Sequence, residues 1–174
     1  MILKTIKEKK LNSIIKKKLS NHAVDASFQG SKIASVLCLV NYDEITDIKD
    51  LYKLRDALNI ESTEFKMIAF MKKINKDQKF PGAVFSDKSI MVNGRVSNFK
   101  VNHYLRRDYD AVINCDSENL LPLLLISALA KTRFRIGLGL GNSDYNDLTL
   151  KGPISDFEYF KKELVKYLTI LNKK

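Results

Sequence analysis

The 174-residue chain has no tryptophan, two histidines, three prolines and two cysteines. Cys38 and Cys115 make neither a disulfide framework nor a metal-ligand spacing. Each sits in an apolar strand-like run, where a free cysteine packs as a small hydrophobe. With only seven glycines, collagen-like and low-complexity architectures are excluded. No apolar run approaches the roughly 18 residues of a membrane span. The longest, residues 120–130, is interrupted by Pro122 and Ser127. After Met1, Ile2 and Leu3, lysines break every apolar stretch, so the start is not read as a signal peptide. The expected location is the cytoplasm.

What is present is the composition of a folded domain: 45% hydrophobic and 29% charged residues. A domain of this length buries roughly 70% of the surface of its unfolded chain. The net charge of +10 is uneven. Residues 1–20 hold Lys4, Lys7, Lys9, Lys10, Lys16, Lys17 and Lys18 against the single acid Glu8. The expected organisation is a basic helical arm over residues 1–20 and one α/β domain over residues 31–174.

In the arm, Leu11, Ile14, Ile15 and Leu19 share one face at helical spacing. Downstream, strand-like and helix-like segments alternate. Residues 33–40 (IASVLCLV) are a continuous apolar run suited to a strand buried on both faces. Ile48, Leu51, Leu54 and Leu58 mark an amphipathic helix. Residues 65–71, 83–85, 109–114, 134–140 and 148–150 read as further strands. Asn93-Gly94 between apolar residues signals a hairpin or tight turn, and Asn98 is placed to cap a short helix. The apolar segment 120–132 reads as a helix whose start is set by Pro122, with Asn119 as its cap. Asp156 opens a final helix with Phe157, Phe160, Leu164 and Leu168 as its stripe. The pattern predicts a three-layer, Rossmann-like fold with a mostly parallel sheet and helices on both faces.

Such folds bind ligands beyond the C-terminal ends of their strands. That places Asp43, Asp116, Ser117, Gly139, Gly141 and Asn142 as candidates for a nucleotide or phosphorylated metabolite. The glycines are spaced G-x-G-x-G, not the G-x-G-x-x-G of a dinucleotide loop, and no phosphate-loop lysine follows. They read first as a place where a strand bends. Cys115 near a helix start suggests a nucleophile, but the sequence puts its nearest candidate base, His103, at the opposite end of the sheet. The acids from Asp43 to Asp50, and Asp144 with Asp147, match no calcium loop. No catalytic set, cofactor or metal site is predicted. Basic residues outside the arm group as Lys72, Lys73, Lys76 and Lys79, as Arg106 and Arg107, and as Arg133 and Arg135.

The order of a lysine-rich start, FKMIAF at 65–70, YDAVIN at 109–114, a leucine-rich helix, Arg135-Ile136-Gly137 and Asn146-Asp147-Leu148 resembles a family of small Bacteroidota proteins of unknown function. That resemblance implies a fold and no catalytic residues. Residues 109–137 are also similar to the N-terminal half of heptosyltransferase-like glycosyltransferases, which implies shared fold alone.

The expected function is non-enzymatic binding. The seven arm lysines would contact RNA or a ribonucleoprotein, since lysines on phosphates release condensed counterions. The alternative is an enzyme or sensor that holds a phosphorylated ligand at the strand ends.

Overall fold

A computed structural model describes residues 2–20, 31–75, 77, 79–139 and 143–171. Among these the chain forms six strands and five α-helices. The strands are β1 (Val36–Asn41), β2 (Phe65–Phe70), β3 (Ala83–Phe85), β4 (Asp108–Cys115), β5 (Lys131–Leu138) and β6 (Leu148–Leu150). The helices are α1 (Ile2–Ser20), α2 (Lys49–Ala57), α3 (Phe99–Leu105), α4 (Leu121–Leu129) and α5 (Phe157–Ile170). The strands make one sheet in the order β3-β2-β1-β4-β5-β6, with every pairing parallel. This is an α/β fold. The order reverses between β1 and β4, the two central strands.

The central strands show why uninterrupted apolar runs suit this position. All six β1 residues are buried, because parallel strands here are covered on both sides. Val36, Cys38 and Val40 face a core shared with α2 and α5. Leu37 and Leu39 face a second core shared with α1, α3 and α4. Outside the apolar runs, Asp110 fixes where β1 begins. Its Oδ2 accepts from the Ala34 and Ser35 amides and from the Ser35 hydroxyl, each at 3.0 Å.

Residues 86–97 hold a short 3-10 turn (Asp87–Ser89), then a tight turn closed by one antiparallel bridge between Ile90 and Val96. Gly94 takes φ +79° at its tip, the conformation Asn-Gly turns favour. Asn98 caps α3 by accepting from the Val101 amide at 3.0 Å.

The start of α4 differs from the sequence expectation. Asn119 is not its cap: its φ is 53°, whereas a capping residue is extended. The cap position falls on Leu120, which makes no side-chain cap bond. The Asp116 carboxylate, four residues back, takes the Leu120 amide at 2.6 Å and the Glu118 amide at 3.1 Å. The helix also ends earlier than expected, because β5 already begins at Lys131.

α1 lies on α4 through Leu11 and Ile15, both buried in the second core. Full burial of two such side chains contributes about 3–6 kcal/mol before ordering costs. The Asn93–Gly94 turn abuts the same helix: a Cβ on Gly94 would lie 2.8 Å from Ile14 Cδ1. Further along, Lys7 Nζ donates to the Asp87 carbonyl at 3.0 Å.

Candidate functional site

Two places follow from this architecture: the strand-end crevice where the order reverses, and the outer surface of α1.

At the crevice, β1 runs into a 3-10 turn (Tyr42–Glu44), and β4 runs into residues 116–120. The two loops are tied together. Glu44 accepts from the Ser117 amide at 3.0 Å and from the Ser117 hydroxyl. Asp43 is exposed, its amide donating to Asn41 Oδ1 at 3.3 Å. Asn41 is only 1% exposed, and its Nδ2 has no partner among the described residues. Gly139 is buried, packed between Ile154 and the Ser117 backbone. Asp116, Ser117 and Gly139 therefore come together, and Asp43 stands at the rim. Gly141 and Asn142 lie outside the described residues.

A cleft opens on the α4 side of these strand ends, lined by Leu39, Asn114, Asp116, Gly137, Asn146 and Thr149 among others. Its free space is about 20 Å³, enough for roughly one water. Small-molecule sites usually offer about 300–1,000 Å³. The space that Gly137 leaves open is taken by the chain itself. A Cβ there would lie 2.5 Å from Asn146 Nδ2, and Asn146 Oδ1 accepts from Asn114 Nδ2 at 2.8 Å. The glycine thus makes room for an asparagine pair.

Burial raises the Asp116 carboxyl above its ordinary range, against the two amide hydrogen bonds that lower it; Glu44 and Glu118 add to the rise. A raised carboxyl favours the fold in its protonated form. Its stabilising effect is complete below the unfolded value near pH 4 and is lost as pH rises through the folded value. Asp116→Asn removes this dependence along with one acceptor. The wild type should therefore gain stability relative to the variant as pH falls from 7 to about 4, measured as the difference in Tm across that range. A flat difference would show that Asp116 does not titrate in this window.

The cysteines form no catalytic pair. Cys38 and Cys115 are both buried, with Sγ atoms 3.8 Å apart. A hydrogen bond shared with Cys38, together with burial, pushes the Cys115 thiol well up, which suppresses the reactive thiolate. His103 lies on α3, the helix that enters β4 from its other end. His22 lies outside the described residues. Among the described residues no three His, Cys, Asp or Glu side chains gather as a metal site. None of the described helices is long and apolar enough to cross a membrane.

Arg135, grouped by sequence with Arg133 among the basic residues outside the arm, is an interior residue. It is 3% exposed. Its Nη2 donates to the Ser127 and Ala130 carbonyls at 3.2 and 3.3 Å, satisfying the C-terminal end of α4. Burial lowers its pKa, with Asp147 opposing the shift. Nε and Nη1 have no partner among the described residues. Phe70 and Phe134, interleaved with the basic clusters in the sequence, are core residues.

On α1, the side that carries Leu11 and Ile15 is buried; at helical spacing Lys9, Lys10, Lys16 and Lys17 face away from it, whereas Lys4, Lys7 and Lys18 share its side, toward the helix ends. Lys4, Lys9, Lys10, Lys16, Lys17 and Lys18 are exposed, and Lys7 is half-buried at its bond to Asp87. None of the seven forms an ion pair among the described residues. Like charges three residues apart, as in Lys4–Lys7 and Lys7–Lys10, repel by a few tenths of a kcal/mol per pair. Held on α4, the helix presents a fixed basic ridge. Beside it, α3 opens with Phe99, an aromatic the sequence reading passed over, at 85% exposure. The signal available was its place directly after the Asn98 cap, on the face that continues through Asn102, His103 and Arg106.

A family of unknown function (DUF6913) matches residues 7–171, and the chain belongs to it. No curated protein and no solved structure matches the chain.

Proposed function

We propose that this protein is a non-enzymatic binding protein whose α1 ridge contacts a polyanion, RNA or the RNA of a ribonucleoprotein surface, in the cytoplasm. The supporting observation is the exposed charge: Lys9, Lys10, Lys16 and Lys17 on the outer side of a helix anchored by Leu11 and Ile15, with Lys4 and Lys18 exposed toward its ends. Lysines on phosphates gain by counterion release, so the interaction weakens linearly in log affinity against log salt, with a slope of about −0.7 per contact on single strands.

The test is fluorescence anisotropy with a short labelled RNA over a salt series, for the wild type and for Lys9→Glu/Lys10→Glu/Lys16→Glu/Lys17→Glu. Binding that falls steeply with salt is expected. The variant should flatten the slope by about 3 if all four lysines meet phosphates. Salt-independent affinity, or a variant that binds like the wild type, overturns the reading.

The alternative, an enzyme or sensor holding a nucleotide or phosphorylated metabolite, draws support from the strand order 3-2-1-4-5-6, that of Rossmann-like folds. The buried, unpartnered Asn41 Nδ2 adds to it. Against it stand the 20 Å³ of free space and the Asn146 side chain over Gly137. A thermal-shift screen separates the two readings, since a ligand at 100 times its Kd stabilises by about 2.7 kcal/mol.

A further inference from the structure

The ridge borders a groove of about 530 Å³ that runs between α1, the Asn93–Gly94 turn and α3. Ile14, Leu105 and Leu129 give it an apolar lining, and Lys18 and Arg95 put two cations along it. Asn102 and Leu105 are the α3 residues on this groove. One turn before Asn102, at the start of α3 and next to the groove's lining, not part of it, stands Phe99. Its ring stacks on His103 with centroids 6.5 Å apart and planes within 19° of parallel. Arg106, exposed, follows on that face.

An aromatic this exposed loses the burial that ordinarily stabilises it. Its open ring offers a flat face on which another flat group can stack. Bases present such a face in single strands, where they are free to unstack, and not in a duplex. A positively charged groove with an aromatic platform at its side is how single strands are held without base-specific hydrogen bonds.

We propose that the groove binds single-stranded RNA, with Phe99 as the stacking platform for one base and Lys18 and Arg95 on the phosphates. This rests on the polyanion reading of α1 and narrows it from any RNA to unpaired RNA. The groove with Lys18 and Arg95 along it favours an anionic chain that can lie in it over a flat membrane surface. Met91 and Val92, exposed at the neighbouring turn, make the lipid alternative worth an arm of the test.

The experiment compares a short single-stranded RNA with the same sequence in duplex form, at fixed salt, for the wild type, Phe99→Ala and Phe99→Trp. The wild type should prefer the single strand. Phe99→Ala should weaken single-strand binding by about 5- to 150-fold, the range for loss of one base stack. Duplex binding and the salt slope should stay as they were, and Phe99→Trp should restore affinity. Phe99 is exposed, so none of these changes disturbs the core. Equal binding of both RNA forms, or an unaffected Phe99→Ala, overturns the groove proposal while leaving the polyanion reading standing. No RNA binding at all overturns both. In that case, co-sedimentation with phosphatidylserine vesicles that is lost in Phe99→Ala would assign the surface to lipid.

Discussion

Replacing Gly82 by alanine is expected to lower stability by about 3 kcal/mol, a fall in Tm of about 6–12 °C for a chain of this size. Gly82 leads into β3, the edge strand, which pairs with β2 through Ile68–Ala83, Ala69–Val84 and Phe70–Phe85. A Cβ on Gly82 would lie 2.1 Å from the Met67 carbonyl oxygen and 2.8 Å from its carbon. Those atoms are backbone of β2 and cannot rotate away. The edge strand must move, yet Ala83 and Phe85 are fully buried and Phe85 packs edge-on against Phe70 with ring centroids 5.5 Å apart. The Gly82 carbonyl also accepts from Lys100 Nζ at 2.7 Å. The strain therefore reaches the second core. Gly152→Ala is the matched control: its nearest neighbour is the Tyr159 ring at 3.3 Å, a side chain able to turn, so it should cost under about 1 kcal/mol. Equal melting of the two variants would mean that β3 yields freely at the sheet edge.

Gly82 also marks how far the sequence could be read. The short strand after Pro81-Gly82 is legible from its apolar triplet. Nothing in the sequence says that the glycine is pressed onto a carbonyl in the preceding strand. The central strands were the easiest to read, since β1, β2 and β4 are buried on both faces and leave continuous apolar runs. The Asn93-Gly94 turn and the Asn98 cap were legible because local hydrogen bonds define them. The α4 cap was not. Four polar residues precede the helix, and the choice among them rests on Asp116 reaching the Leu120 amide, a matter of loop path.

The candidate sites divide in the same way. Charge on α1 is visible in composition, and so is its apolar face. The strand-end positions were also visible, because loops at parallel strand ends follow from alternation. Their occupancy was not: which polar side chain fills the space above Gly137 depends on residue 146 folding back from the next segment. Arg135 defeats a reading by type, since an arginine satisfying helix carbonyls in the interior looks, in sequence, like one on the surface. Phe99 is the converse, an aromatic to which the sequence analysis gives no role and which the fold leaves outside. Both cases come from one limit. Residue type reports the usual environment, and function often resides where the environment is unusual.

Ile15→Asp separates the charge of α1 from its shape. Ile15 is 1% exposed, between α1 and α4. Placing a carboxylate there without a partner costs more than the helix gains from docking, so α1 is expected to lift off. Alone, a 19-residue helix with seven lysines and one acid is marginal in water. The amides of α1 should then exchange freely, and Tm should fall by at least about 6 °C, the equivalent of roughly 3 kcal/mol. The apolar face of α4 should bind a hydrophobic dye. The lysines remain on the chain, so the proposed RNA binding and its salt slope should persist in weakened form. The preference for single-stranded over duplex RNA should disappear, because the groove exists only while α1 is seated beside the Asn93–Gly94 turn. Hydrogen exchange and the two RNA forms, measured on one preparation, read both effects. Protected α1 amides in Ile15→Asp would show that the helix is held by more than its buried face. Freed α1 amides with an intact single-strand preference would place strand recognition on α3 alone.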